Sequence, residues 1–334
     1  MLLRVYAIIV IFLACTQGDV FAVVSNVSDQ SEVLQGLGPL MIRSQSPAQT
    51  LRFTPVARNP YLPASGQSQL RTMFNVSNIW ANPDDHQYFL DYDTRDIRLA
   101  MAFGLPAGWA IEFAVNHLRI IHSGLDQLTS GFHDMFDIDQ NGRDDVPKND
   151  TRISLPAYGV ELDRSDLKGL TRSIDATLSK VLVNEKSSVP AVSLFGTIRY
   201  ELRDDGPVEE GAIDLGVVAG LAKQLGQNYM YLNIGYTHFG SSRFVTIPLE
   251  KTQLNGMLAY EWRTRPNQAL LLQYSYSEGV VKDLGELSQA SHEISLGYKW
   301  RLENFMWEFS INENIINYEN SPDVGFTLGV VYAF

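Results

Sequence analysis

From Gln67 onward, apolar and polar positions alternate. Between Ser291 and Leu302 one set carries His292, Ile294, Leu296, Tyr298, Trp300 and Leu302, and the other Ser291, Glu293, Ser295, Gly297, Lys299 and Arg301. A period of two gives each strand one face for each of two environments. The final segment follows suit, with Phe326, Leu328, Val330, Tyr332 and Phe334 on one face and Gly325, Thr327, Gly329, Val331 and Ala333 on the other. Read back from Phe334, the pattern predicts strands near 323–334, 305–314, 290–302, 268–278, 250–262, 229–239, 212–223, 191–203, 171–183, 108–121, 94–105 and 68–80, about twelve in all. Tyr88, Leu90 and Tyr92 fit an outward extension of the 94–105 strand. Ser154 to Leu162 fits a further hairpin, which would bring the count to about fourteen.

A soluble sandwich and a membrane barrel both produce such strands, with opposite faces wetted. Strands of about ten residues suit a tilted crossing of a bilayer. Tyr and Trp recur at strand ends (Trp80, Trp109, Tyr260, Trp262, Tyr298, Trp300, Tyr332), where an interfacial girdle requires them. Short links such as Pro106-Ala107-Gly108 and Glu303-Asn304 alternate with longer ones such as Glu278 to Ser288, as in barrels with tight periplasmic turns and long outer loops. A sheet in lipid has to close, because an open edge leaves backbone groups unpaired. The expected fold is therefore all-β, a closed antiparallel transmembrane β-barrel of about twelve strands, or fourteen, with an irregular N-terminal extension.

The N-terminus supports export. Arg4, the apolar run Val5 to Ala14 and the site Val20-Phe21-Ala22 make a signal peptide over residues 1–22, cut after Ala22. Cys15 is the only cysteine, and Phe12-Leu13-Ala14-Cys15 faintly resembles a lipobox. Residues 23–66 carry Pro39, Pro47, Pro55, Pro60 and Pro63, which break ladders, so this stretch is a periplasmic or lumenal extension. Residues 67–334 form the barrel, with 123–168 as one long external excursion of the kind that serves as a plug or lid.

Charge narrows the chemistry. A net charge of −12 with no Lys/Arg-rich run excludes nucleic acid as a partner. Strand parity sends Arg71, Asp96, Arg98, Glu112, Asp175, Arg199, Glu201, Asp214, Glu261, Glu293, Lys299, Arg301 and Glu308 to the lumen. Facing lipid at the midplane, Arg or Lys would cost about 2–4 kcal/mol. Such a lining serves either a polar channel or a salt-bridged, closed interior.

Three local constellations bear on other chemistry. Asp137-x-Asp139-x-Asn141-Gly142 with Asp145 matches the start of a calcium loop, but position twelve is Lys148 where a bidentate Glu belongs. The alternative is an acidic external turn. Calcium is the one cofactor this suggests. His133 is the plausible loop ligand or base, and otherwise a structural hydrogen-bonding group. His238 with Ser241-Ser242 could form a lipid hydrolase at the rim, although no His-x-Ser-Asn-Gly pattern positions them.

Ser123-Gly124-Leu125-Asp126, Gly131-Phe132-His133-Asp134-Met135-Phe136, Asn141-Gly142-Arg143-Asp144 and Pro147-Lys148 resemble the uncharacterised bacterial family known as domain of unknown function 3187. Gly38-Pro39-Leu40, Arg43, Pro47 and the turn Gly104 to Trp109 extend the resemblance over most of the chain. A single Gly124 stands where the family usually has a Gly pair. The resemblance implies an outer-membrane barrel and no established reaction. Val330, Tyr332 and the terminal Phe334 also resemble the signal by which such barrels are recognised for assembly.

The expected function is a narrow, porin-like channel for small solutes in the outer membrane of a Gram-negative bacterium, gated by 123–168. The alternatives are a closed structural or surface-interaction barrel with a cation- or partner-binding loop, and a lipid-modifying enzyme or hydrophobic-solute uptake barrel. The expected partners are outer-membrane lipids, the barrel assembly machinery and small solutes, with the oligomeric state left open.

Overall fold

The computed structural model describes residues 35–136, 143, 146–147, 150–163, 165, 169–203, 211–241, 243–244 and 247–334. Its strands, in chain order, are β1 Ser68–Ala81, β2 Phe89–Leu105, β3 Trp109–Ile121, β4 Arg152–Leu155, β5 Val160–Asp163, β6 Thr171–Val183, β7 Ala191–Glu201, β8 Ile213–Leu225, β9 Asn228–His238, β10 Arg243–Phe244, β11 Ile247–Pro248, β12 Thr252–Arg265, β13 Gln268–Ser277, β14 Ser291–Leu302, β15 Phe305–Ile316 and β16 Val324–Ala333. Among the described residues one α-helix, α1, spans Leu125–Phe136.

Twelve of these strands pair antiparallel in the order β1, β2, β3, β6, β7, β8, β9, β12, β13, β14, β15 and β16, and β16 returns to β1. The closing seam runs from Gln69 opposite Ala333 to Asn78 opposite Val324. Below it, Ser68 and Phe334 exchange backbone hydrogen bonds, each 2.9 Å. Closure leaves no open wall edge, which a hydrocarbon surrounding demands. The hairpin expected around Ser154 to Leu162 exists as β4 and β5. It adds to the upper end of β2, pairing Phe89 with Ser154, and stays outside the wall. Twelve is therefore the wall count. Residues 89–92 do extend the strand upward, as β2 begins at Phe89, one residue after Tyr88.

Burial is inverted relative to a soluble sheet. Phe113 and Ile198 are 52% and 55% exposed, while Ser295 and Glu308 are fully buried. This distribution is stable only with lipid against the outer face. Aromatic residues mark the rims. The Trp109 ring centre lies 4.9 Å from the Lys180 ammonium, and Tyr332 stacks on Phe334 and meets Phe305 at a tilt. Tight turns, such as Gly226 with its positive φ between β8 and β9, define the lower rim. The longer loops gather at the upper rim. There Tyr88, Leu90, Leu118, Ile153, Leu155, Phe239, Leu249, Val280 and Leu287 belong to one apolar cluster above the lumen. α1 packs beside the upper end of β1, where Asp126 accepts a hydrogen bond from Asn78 at 2.8 Å.

The seam is directly testable. Asn75 and Thr327 face each other across it, with their side chains 2.9 Å apart. The double variant Asn75→Cys/Thr327→Cys should cross-link in the folded protein under mild oxidation, seen as a mobility change that reductant reverses. No cross-link in a correctly folded preparation would argue against this closure.

Candidate functional site

The residues that occupy the lumen come from the N-terminal extension. From Gln35 the chain rises along the inner face of β12–β15. It turns near the upper rim through a short 3-10 turn, Gln49–Leu51, and descends along β9, β8, β7 and β3 to Gly66 and the start of β1. The prolines explain why these limbs are not strands: they supply no donor for a ladder. Main-chain groups are satisfied instead by wall side chains, which is how buried backbone avoids a desolvation penalty.

The rising limb hangs on carboxylates and amides. Leu37 and Gly38 each donate a backbone N–H to Glu261 at 3.1 Å. Tyr231 donates to the same carboxylate at 2.6 Å, and Arg263 pairs with it. Leu40 donates to Gln273 at 2.9 Å and Met41 to Glu308 at 2.8 Å. Lys299, almost wholly buried, pairs with Glu308 at 2.8 Å and donates to the Pro39 carbonyl at 2.6 Å. Glu293 accepts from the Ser44 hydroxyl and from the Gln45 backbone N–H. At the tip, Arg52 donates to the Glu250 and Ser241 carbonyls and lies 3.6 Å from the Phe239 ring centre.

The falling limb is held as firmly. Arg58 and Asn233 exchange hydrogen bonds, main chain to amide, at 2.6 and 3.1 Å. The Arg58 guanidinium reaches Glu112 at 2.7 Å and Thr177 at 3.1 Å. Ser193 donates to the Pro60 carbonyl at 2.7 Å. At the lower rim Tyr61 donates to Glu185, which Lys223 also meets at 3.1 Å. Burial works against the Glu185 carboxylate, but the Gln224 N–H, Tyr61 and Lys223 together hold its pKa below the usual range. Burial and Glu185 raise that of Tyr61.

Wall glycines receive the hairpin. A Cβ on Gly297 would overlap Leu40, one on Gly216 would overlap Phe53, and one on Gly104 would overlap the Ala64 carbonyl. Between the hairpin and the β8–β13 wall a space of about 30 Å³ remains, room for about one water. A larger cavity, about 470 Å³, opens at the lower rim between Gln35, Tyr61, Val183 and Lys223.

Of the thirteen charged residues assigned inward from the sequence, several converge. Glu112 receives Arg58, Arg71 and Arg98, at 2.7, 2.8 and 2.9 Å, and Arg98 continues to Asp175 at 2.6 Å. Asp96 pairs with Arg43 of the hairpin at 2.8 Å. Arg199 bridges Glu201 and Asp214. Glu261, Glu293, Lys299 and Glu308 bind the rising limb as above. Arg301 shares the parity of Lys299 at the lower end of β14 and is half-buried. Val330 and Tyr332 lie in β16 opposite Thr72 and Leu70. Asp137, Asp139, Asn141 and Asp145 lie outside the described residues, as do Ser242 and residues 1–34. His238 is exposed on the lipid-facing side of β9.

Sequence reasoning missed the hairpin's own arginines. The thirteen wall residues comprise eight carboxylates and five cations, whereas residues 35–66 bring Arg43, Arg52 and Arg58 and no Asp or Glu. That complementarity was visible in the sequence. Of the periplasmic and lumenal placements expected for the N-terminal extension, residues 35–66 take the lumenal one. The described part of the excursion 123–168 contributes Ile153, Leu155 and Val160 to the apolar cluster above.

Similar folds occur among outer-membrane proteins. The COG4313 outer membrane channel from Pseudomonas putida F1 superposes with a TM-score of 0.52 at 13% identity, covering 82% of this chain and 97% of that one. A KdgM porin (TM-score 0.42, 6% identity, 80% and 99% covered) and the CymD monoaromatic hydrocarbon channel (0.40, 10%, 81% and 90%) are looser likenesses, too distant to argue from. No curated protein matches the chain. The sequence profile of the family described as "Protein of unknown function (DUF3187)" matches residues 15–334, and the chain belongs to that family.

Proposed function

We propose that this protein is a gated outer-membrane channel for small hydrophilic solutes, held shut by its own N-terminal hairpin. The observation that carries the reading is the mode of attachment. The hairpin is bound by buried polar groups, Glu261, Gln273, Glu293, Glu308, Asn233 and Glu112, with apolar contacts from Leu37, Leu40 and Ile42 against Ala269 and Leu271 and from Ala48 and Phe53 in the upper cluster. Water can replace such bonds once the segment moves, so an emptied lumen is a wettable, charged passage. With the hairpin withdrawn, Arg43, Arg52 and Arg58 leave and the wall's carboxylates predominate, so the open state favours cations. The chain reaches the membrane through the signal at 1–22, and Val330, Tyr332 and Phe334 present it to the assembly machinery.

Planar-bilayer recording distinguishes this from a closed structural barrel. Intact protein should be silent or flicker rarely, and a variant lacking 35–62 should conduct steadily with cation preference. A folded deletion variant that never conducts would eliminate the channel reading. Two point variants give the same test with the chain intact. Gly297→Leu should crowd Leu40 out of its notch and raise opening frequency. Arg58→Ala removes the hairpin's bonds to Glu112 and Thr177 while Arg71 and Arg98 still neutralise Glu112, and should act in the same direction. In the deletion background, Glu112→Gln/Glu308→Gln should lower the cation-to-anion permeability ratio, read from the reversal potential in a salt gradient.

A further inference from the structure

Not all the strand charges face inward. On β2 the outward positions are those of Ile97, Leu99 and Phe103, and Arg95 shares their parity. Ladder register sets Arg95 opposite Arg119 of β3, two residues beyond His117, and His117 stands opposite Arg172 of β6. The same outer surface, further down, is Leu99, Phe113, Val115, Ile174 and Leu178, all strongly exposed. A fourth guanidinium, Arg203 just past β7, joins Arg95, Arg119 and Arg172 within electrostatic range of His117.

The inward arginines show how unusual this is. Arg43, Arg58, Arg71, Arg98, Arg199 and Arg263 each meet a carboxylate within ion-pair distance. Among the described residues, no carboxylate stands within that distance of Arg95, Arg119 or Arg172. The Nε atoms of Arg95 and Arg119 are buried and bond to nothing. Asp93, on the same face, is taken by Asn78 and Ser123. Like charges directly opposite one another in a ladder destabilise it, and an unpaired buried donor costs about 1–3 kcal/mol. A ligand that brings negative charge relieves both.

Height on the wall identifies that ligand. From Leu105 at the lower rim to Arg95 is ten residues of tilted strand, a rise of about 25 Å, which is the height of the apolar band of such barrels. The cluster therefore sits where the outer-leaflet headgroups begin, and no other surroundings are within reach of a lipid-facing side chain. We infer that Arg95, Arg119 and Arg172, with His117 between them, form a binding site for the phosphate groups of an anionic outer-leaflet lipid.

The test uses the full-length barrel in nanodiscs of phosphatidylcholine, titrated with diphosphoryl lipid A and read by native mass spectrometry. Wild type should retain the lipid. Arg95→Gln/Arg119→Gln should bind it about thirtyfold more weakly, the loss expected for two cations at a charged interface. The dephosphorylated lipid should bind wild type as weakly as the variant binds lipid A. Lys180→Gln, at the opposite rim, should leave retention unchanged. If the double variant does not assemble, Arg119→Glu supplies an internal partner for Arg95 and should lose the lipid equally. Equal retention by wild type and a folded variant, or equal binding of the dephosphorylated lipid, would overturn the assignment. So would displacement of lipid A by millimolar inorganic phosphate, which would mark a site for free anions.

Discussion

A strand in hydrocarbon has no water to satisfy its backbone, and this requirement governs everything else in the molecule. It forces the last strand, β16, back onto the first, β1, over ten residue pairs. Once the wall is closed, side chains have only two destinations. Alternation then sends one set to lipid and the other into a space narrow enough that twelve strands can nearly fill it. The charges in the lumen are first of all a consequence of closure.

Inside that space the polar groups need partners of their own. Three arginines around Glu112, the Arg199 pair with Glu201 and Asp214, and Lys299 with Glu308 divide the lumen into separate ionic clusters. The N-terminal hairpin completes two of them, through Arg58 and the Pro39 carbonyl, and adds a fourth by pairing Arg43 with Asp96. The wall glycines are the steric counterpart of this electrostatic fit. Gly297, Gly216 and Gly104 lie on the inner face where a side chain would otherwise press on the hairpin.

The wall was legible in the sequence because a membrane strand is specified locally. The period of two, the strand-end aromatics and the turn residues all lie within about ten positions of each other, and the structure places strands close to where they predict. The lumenal segment was harder to read because nothing local specifies it. Pro39, Pro47, Pro55, Pro60 and Pro63 said only that it is not strand. Its position depends on contacts such as Leu37 with Glu261, more than two hundred residues away in the chain. The signal that did exist was collective: three arginines without a carboxylate, set against a wall rich in acid. The outward arginines were missed for a related reason. Parity assigns faces correctly, but Arg95, Arg119 and Arg172 become a cluster only once β2, β3 and β6 are known to be neighbours.

The path of the hairpin has a topological consequence. Gln35 and the chain that leads into β1 both lie at the lower rim, so the segment enters and leaves the barrel through the same opening. It is a loop dipped into a well, not a thread drawn through a ring. No wall strand has to part for it to come out, and no end has to be passed through for it to return. Removing the segment from the lumen would therefore break no strand pairing.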